Sequence, residues 1–140
     1  MLLCLGLQGC RTVQSNEITG TWVITDESRQ RFFSESQRAA AARITQDSSG
    51  AFAANEVPDD LLYGPEASNG LVTGTGIWKL VSREGRQQVQ LRFNAITAGG
   101  RGEAHYETIL YVSTGLPSTV GLFYYRGDPD EGRTIEFEKK

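Results

Sequence analysis

The sequence predicts an all-β fold, with eight antiparallel strands in consecutive order forming an up-and-down barrel or a curled meander and at most one short helix. Three observations lead there. Apolar and polar residues alternate with a period of two along most of the chain after residue 16. Glycine-rich or polar turns separate the alternating stretches, and the connections are short enough to join neighbouring antiparallel strands. A length of 140 residues suits one domain with one core.

Taken in order, the first strand is Ile18 to Thr25, with Trp22 and Ile24 on one face. Asp26 to Gln30 close it as a polar segment. Ser34 to Ala41 is the one helical stretch, because Ser34 can cap it and the alanines from Ala39 to Ala42 favour it. Ala42 to Gln46 and Ala51 to Asn55 form a hairpin across Asp47-Ser48-Ser49-Gly50. Val57 to Asn69 holds Pro58, Gly64, Pro65 and Asn69, too many breakers for a regular element, and reads as a long loop of the kind that covers a binding mouth. Leu71 to Ser82 and Gln87 to Ile96 follow, joined by the tight turn Arg83-Glu84-Gly85-Arg86, with Val89, Leu91 and Phe93 on one face of the second. Glu103 to Ser113, Thr119 to Arg126 and Arg133 to Glu138 complete the eight. A closed barrel of that size is filled by its own side chains or holds one small ligand.

Composition excludes several classes. With 39% hydrophobic and 22% charged residues and a net charge of -3, the chain is an ordinary globular sequence. Lys and Arg are scattered singly, with no basic face interleaved with aromatics, so no nucleic-acid partner is expected. The two cysteines, Cys4 and Cys10, both precede the alternating region, which leaves no disulfide framework and no thiolate metal site in the folded part. No cofactor and no metal are expected.

The N-terminus carries the most specific motif. Residues 1–7 are apolar apart from Cys4, too short a run to span a bilayer. Leu7-Gln8-Gly9-Cys10 resembles the lipobox of bacterial lipoproteins. That resemblance implies cleavage before Cys10 and a lipid on it, with 1–9 as a truncated signal segment, 10–16 as a lipidated tether and 17–140 as the barrel domain. A full signal segment runs to roughly 15 to 30 residues with a basic start; nine residues precede Cys10 and none is basic, so a start codon further upstream is expected. Arg11 follows the cysteine in place of the aspartate associated with inner-membrane retention, which points to the outer membrane, facing the periplasm. The alternative is an apolar tail with two incidental cysteines.

Gly20-Thr21-Trp22 resembles the Gly-x-Trp signature of lipocalins and their calycin relatives. There the tryptophan closes one end of the barrel and a basic residue near the last strand packs over it, which makes Trp22 and Arg133 the implied closing pair. A second such triplet, Gly76-Ile77-Trp78, is either a trace of duplication or a generic strand feature. Ile18-Thr19-Gly20-Thr21-Trp22 also resembles the first strand of the bacterial avidins, whose later tryptophans are absent here, so biotin binding does not carry over. The mature stretch as a whole, with its Asp47-to-Phe52 hairpin and its Tyr125-to-Asp130 turn, resembles uncharacterised bacterial lipoproteins with a lipocalin-like domain. The resemblance implies a fold and an address and no activity.

Candidate side chains follow from this frame. Trp22, Trp78, Phe93, Tyr106, Phe123 and Tyr125, with Tyr124, could line an apolar ligand cavity, since aromatic walls suit small-ligand sites; packed against each other, the same residues would fill the core instead. Catalytic residues are not found: His105 is the only histidine, a lone strand histidine reads as surface or rim, and a Ser/His/Asp hydrolase would rest entirely on it. Asp128-Pro129-Asp130-Glu131-Gly132 offers three carboxylates without the EF-hand spacing and reads as a turn. Asp59-Asp60 reads as a solvated pair or the start of a helical turn, with Leu61, Leu62 and Tyr63 folding inward. Three function classes remain: a lipid-anchored binding module holding a small apolar ligand, an envelope interaction or inhibitor protein with a filled barrel, and, least favoured, a hydrolase.

Overall fold

The computed structural model describes residues 12–38, 40–115 and 119–140. Eight strands form one closed antiparallel barrel in sequence order: β1 (Gly20–Ile24), β2 (Arg43–Gln46), β3 (Ala51–Pro58), β4 (Leu71–Arg83), β5 (Arg86–Ala98), β6 (Tyr106–Thr114), β7 (Val120–Tyr125) and β8 (Thr134–Lys139). The ring closes where β1 pairs with β8, from Trp22 opposite Lys139 to Ile24 opposite Phe137. Of the two architectures the sequence allows, the closed barrel is the one formed. All eight expected strands are present, with ends shifted by a few residues.

The helical content is larger than expected. Four short α-helices stand among the described residues where at most one is predicted: α1 (Ser15–Ile18), α2 (Asp26–Phe32), α3 (Glu35–Arg38) and α4 (Asp60–Tyr63). The expected helix over Ser34 to Ala41 is α3, shorter than its alanine run suggests, with Ser34 Oγ accepting from Gln37 N as the predicted cap (3.4 Å). The polar segment from Asp26 is not a simple strand end but α2. Thr25 caps it by accepting from Ser28 N (3.2 Å), acidic residues occupy its first turn and Arg29 and Arg31 its last, as the helix dipole favours.

Three register shifts interrupt the ladders on either side of β4. In β3 the register shifts between Ala54 and Val57, with Glu56 at φ 51°, so that Val57 returns to the interior after the alternation breaks. Between β4 and β5 it shifts twice, opposite Gly74 and Gly76, each time with one extra residue on β5. A Cβ on Gly76 would lie 1.8 Å from the Arg92 carbonyl oxygen and 2.9 Å from the Phe52 ring. Only glycine lets the two strands approach there, and the space admits the edge-to-face pair of Phe52 and Phe93, centroids 4.9 Å apart. The β4–β5 connection puts both Glu84 (φ 53°) and Gly85 (φ 78°) in the left-handed region, the conformation a two-residue hairpin turn requires.

The interior is one apolar core. Trp22, Ile44, Val72, Val89, Leu91, Phe93, Leu110, Leu122, Ile135 and Phe137 are all buried, most of them completely. One end of the barrel, the anchor end, is closed by α1, the β2–β3 and β4–β5 turns and the end of β8. The other, the lid end, is covered by α2, α3 and α4. Within the segment 10–16 expected as a tether, Val13 is buried at 2% and α1 begins at Ser15. Cys10, the expected lipid site, and the segment 1–9 lie outside the described residues.

Candidate functional site

The six aromatics expected to line a cavity separate into two groups. Trp22 and Phe93 are fully buried inside the barrel, Trp78 is 8% exposed, and Tyr106 points inward, half-buried, with its ring 5.3 Å from that of Tyr63. Phe123 and Tyr125 alternate with the buried Leu122 and Tyr124 and therefore stand on the outer wall. They cannot share a cavity with Trp22. Trp22 Nε1 donates to the Ile18 carbonyl (2.8 Å) and Trp78 Nε1 to that of Asp47 (2.9 Å), so both indoles are fixed as parts of the packing.

The closing pair is also different from the expected one. Arg133 sits at the start of β8, at the lid end, where it pairs with Glu131. Antiparallel pairing of β1 and β8 brings Lys139, not Arg133, beside Trp22, with Nζ 5.6 Å from the ring centroid. Six residue steps along the strand separate the two basic side chains, about 20 Å. Beneath the indole, the Ile18 carbonyl also accepts from the buried Gln46 Nε2 (3.0 Å). An open cleft of about 500 Å³ lies beside this end, walled by Trp22, Thr119, Val120, Glu138 and Lys139 together with α1.

At the lid end, the long segment Val57 to Asn69 folds over the mouth. Leu61, Leu62 and Tyr63 turn inward as expected and are buried. The two adjacent aspartates have separate tasks: Asp59 Oδ2 accepts from the Ser68 backbone and hydroxyl (both 3.0 Å), while Asp60 accepts from Arg126 Nε (2.7 Å) and from the Tyr124 hydroxyl (2.8 Å). Arg126 also donates to the Phe32 carbonyl and lies over the Phe33 ring, so one guanidinium holds α4, β7 and the end of α2 together. The ion pair is largely shielded, at 20% and 13% side-chain exposure. Burial, then the charge of Asp60, pushes the Tyr124 hydroxyl well above its ordinary range. Burial opposes the Arg126 charge, but the hydrogen bond and charge of Asp60 prevail and raise its pKa.

A second tie lies on the opposite side of the lid. Tyr63 donates to Glu103 Oε1 (2.7 Å), the Arg101 guanidinium stands 4.0 Å from the Tyr63 ring centroid, and Thr108 Oγ1 donates to the Leu61 carbonyl (2.6 Å). Burial, and then the bond to Glu103, pushes the Tyr63 hydroxyl up to about 12, while the same bond holds the Glu103 carboxyl below its usual value. Sequence reasoning missed this set of residues. Arg126, Glu103 and Arg101 are scattered along the chain and meet only because the barrel closes.

Outside, Tyr111, Phe123 and Tyr125 form a triangle of rings on β6 and β7 with centroids 5.4 to 5.5 Å apart, and Arg86 stacks 4.7 Å from Tyr111. Around the wall, Ile77 is 51% exposed beside a cleft of about 140 Å³ that Gln90, Arg92 and Glu107 also line. His105 is exposed and stands before β6. In the Asp128 turn, Asp128 Oδ1 accepts from Asp130 N (2.9 Å) and Gly132 adopts a left-handed conformation, which is turn chemistry. Among the described residues, no three His, Cys, Asp or Glu side chains gather as a metal site, and no helix is long and apolar enough to cross a membrane. No family model, curated protein or solved structure matches the chain.

Proposed function

We propose that the chain is an exported bacterial lipoprotein, held to the outer membrane through Cys10, whose barrel is a filled scaffold for protein contact at the envelope. One observation carries the choice of interaction over transport: the inward aromatics Trp22, Phe93 and Phe137 are buried at 2% exposure or less, while Tyr111, Phe123 and Tyr125 stand outside. A packed interior has no room for a ligand without expelling side chains, and an aromatic cluster on an outer wall is the composition that protein interfaces favour. The lipocalin-like resemblance is supported by the basic Lys139 of the last strand lying over Trp22.

Two measurements test this. Protein expressed from its natural locus, with the upstream sequence, is expected to begin at a diacylglycerol-bearing Cys10 by intact mass, and Cys10→Ser is expected to release it from membranes. An unmodified chain retaining Met1 would remove the address. For the barrel, titration with a panel of fatty acids and apolar dyes is expected to leave tryptophan emission unchanged. Saturable, one-to-one quenching would establish the second reading, a carrier of small apolar or amphipathic ligands, which the cleft of about 500 Å³ beside Trp22 favours.

A further inference from the structure

One side-chain amide fixes where the N-terminal segment meets the barrel. Gln87, at the start of β5, accepts from Val13 N through Oε1 (2.7 Å) and donates through Nε2 to the Val13 carbonyl (2.8 Å). The two bonds grip a backbone as a neighbouring strand would, and the Val13 side chain is buried beneath them. α1 follows directly and its Ile18 is completely buried under Trp22. From Val13 onward the chain is therefore part of the rigid body.

That clamp limits where a lipid on Cys10 can go. Three residue steps lead back from Val13 to Cys10, and an extended chain covers about 11 Å in three residues at most. β5 runs from the clamp to Ala98 at the lid end. Its length beyond Gln87 is about 36 Å, which projects to roughly 28 Å along the axis of a barrel with the usual strand tilt. The anchor cannot reach the lid end.

We infer that the lipid-anchored protein stands on the bilayer by its anchor end, with the Asp47–Gly50 and Glu84–Gly85 turns at the headgroup layer, and presents the lid end to the aqueous space. The inference rests on the lipoprotein reading of Cys10 and adds an orientation to it. The surface facing the bilayer suits phospholipid headgroups, which carry both signs of charge: Arg83, Arg86, Lys139 and Lys140 are exposed there beside Glu84 and Glu138. The barrel axis then points away from the membrane, and the aromatic triangle on β6 and β7 faces sideways.

The test uses the naturally processed protein in phosphatidylcholine nanodiscs doped with a lipid whose headgroup carries a gadolinium chelate. Amide signals of Ser49, Gly50, Glu84 and Gly85 are expected to lose intensity severalfold more than those of Gly99, Asp128 and Gly132. Inserting a flexible Gly-Ser segment between Arg11 and Thr12, which gives roughly 20 Å of slack for about 12 residues, leaves the folded body intact and is expected to even out the difference. Gln87→Ala is expected to do so in part. Uniform attenuation in the uninserted protein, or stronger attenuation at the lid end, overturns the orientation. If mass spectrometry shows a lipidated Cys10 in that case, the lipoprotein reading survives and only the orientation falls; an unmodified Cys10 removes both.

Discussion

At the anchor end, apolar packing is joined by uncharged hydrogen bonds, from Trp22 and Gln46 to the Ile18 carbonyl and between Gln87 and the Val13 backbone, with Lys139 lying over the indole. At the lid end, closure depends on Asp60 held by Arg126 and Tyr124 and on Tyr63 held by Glu103, with α2 and α4 tied through charged or phenolic groups. The same ring of strands is thus sealed in two chemistries. An apolar plug depends on volume and is indifferent to salt and pH. A charged latch depends on keeping every partner present and ionised, because a shielded charge without its partner is costly.

The contrast predicts a ranking. Trp22→Ala removes the largest buried side chain of the plug and is expected to cost about 3–5 kcal/mol, read as a lowered urea midpoint. Arg126→Met leaves Asp60 shielded without its cation and is expected to cost about 2–3 kcal/mol. Hydrogen exchange should localise that second loss to Leu62 and Tyr63, while the amides around Ile18 stay protected. Equal exchange at both ends would mean that the two closures are one cooperative unit.

The latch also carries a pH signature that the plug lacks. The Glu103 carboxyl is held below its usual value of 4.5 by Tyr63. Its contribution is present above that value and is lost as pH falls through the lowered one, so Tyr63→Phe is expected to flatten the acid limb of the stability profile. In the alkaline direction the Tyr63 hydroxyl, raised to about 12, contributes fully below the ordinary value of 10.0 and loses that contribution as pH rises through 12. Absorbance at the phenolate band should accordingly show Tyr63 and Tyr124 titrating above the ordinary value of 10.0. The smallest effect is expected outside the barrel. Phe123→Ala removes a cross-strand pair with Tyr111 and should cost under about 1 kcal/mol in urea unfolding, while weakening any partner that docks on that wall.

Strand positions were legible because each strand has one buried face, and a period of two records that directly. Where the record fails, the backbone departs from the period. β3 extends to Pro58, yet the alternation stops at Asn55, because the bulge at Glu56 reverses the phase and nothing about a glutamate announces a positive φ. α2 went unread for a different reason. It buries only Ser28, whose hydroxyl accepts from Glu136 N (2.9 Å), so it has no apolar stripe, and its signals were the Thr25 cap and the order of its charges. The closing basic residue was placed at Arg133 because nearness to the last strand was the criterion; antiparallel register decides instead for Lys139. Facing was lost for Phe123 and Tyr125, since four consecutive apolar residues from Leu122 to Tyr125 hide which alternate pair is inside.

The seam between β1 and β8 has a consequence for how the molecule is made. Gly20 to Ile24 can find no partner on that side until Thr134 to Lys139 exist, and the final backbone bond of the seam runs from Lys140 N to the Thr21 carbonyl (2.9 Å). Contacts between such distant parts of a chain form late and slowly. A ring that cannot be completed until its eighth stave has emerged stays open, and threadable, until that strand is available. For a protein read as crossing a membrane before it folds, late closure would keep the polypeptide fit to travel.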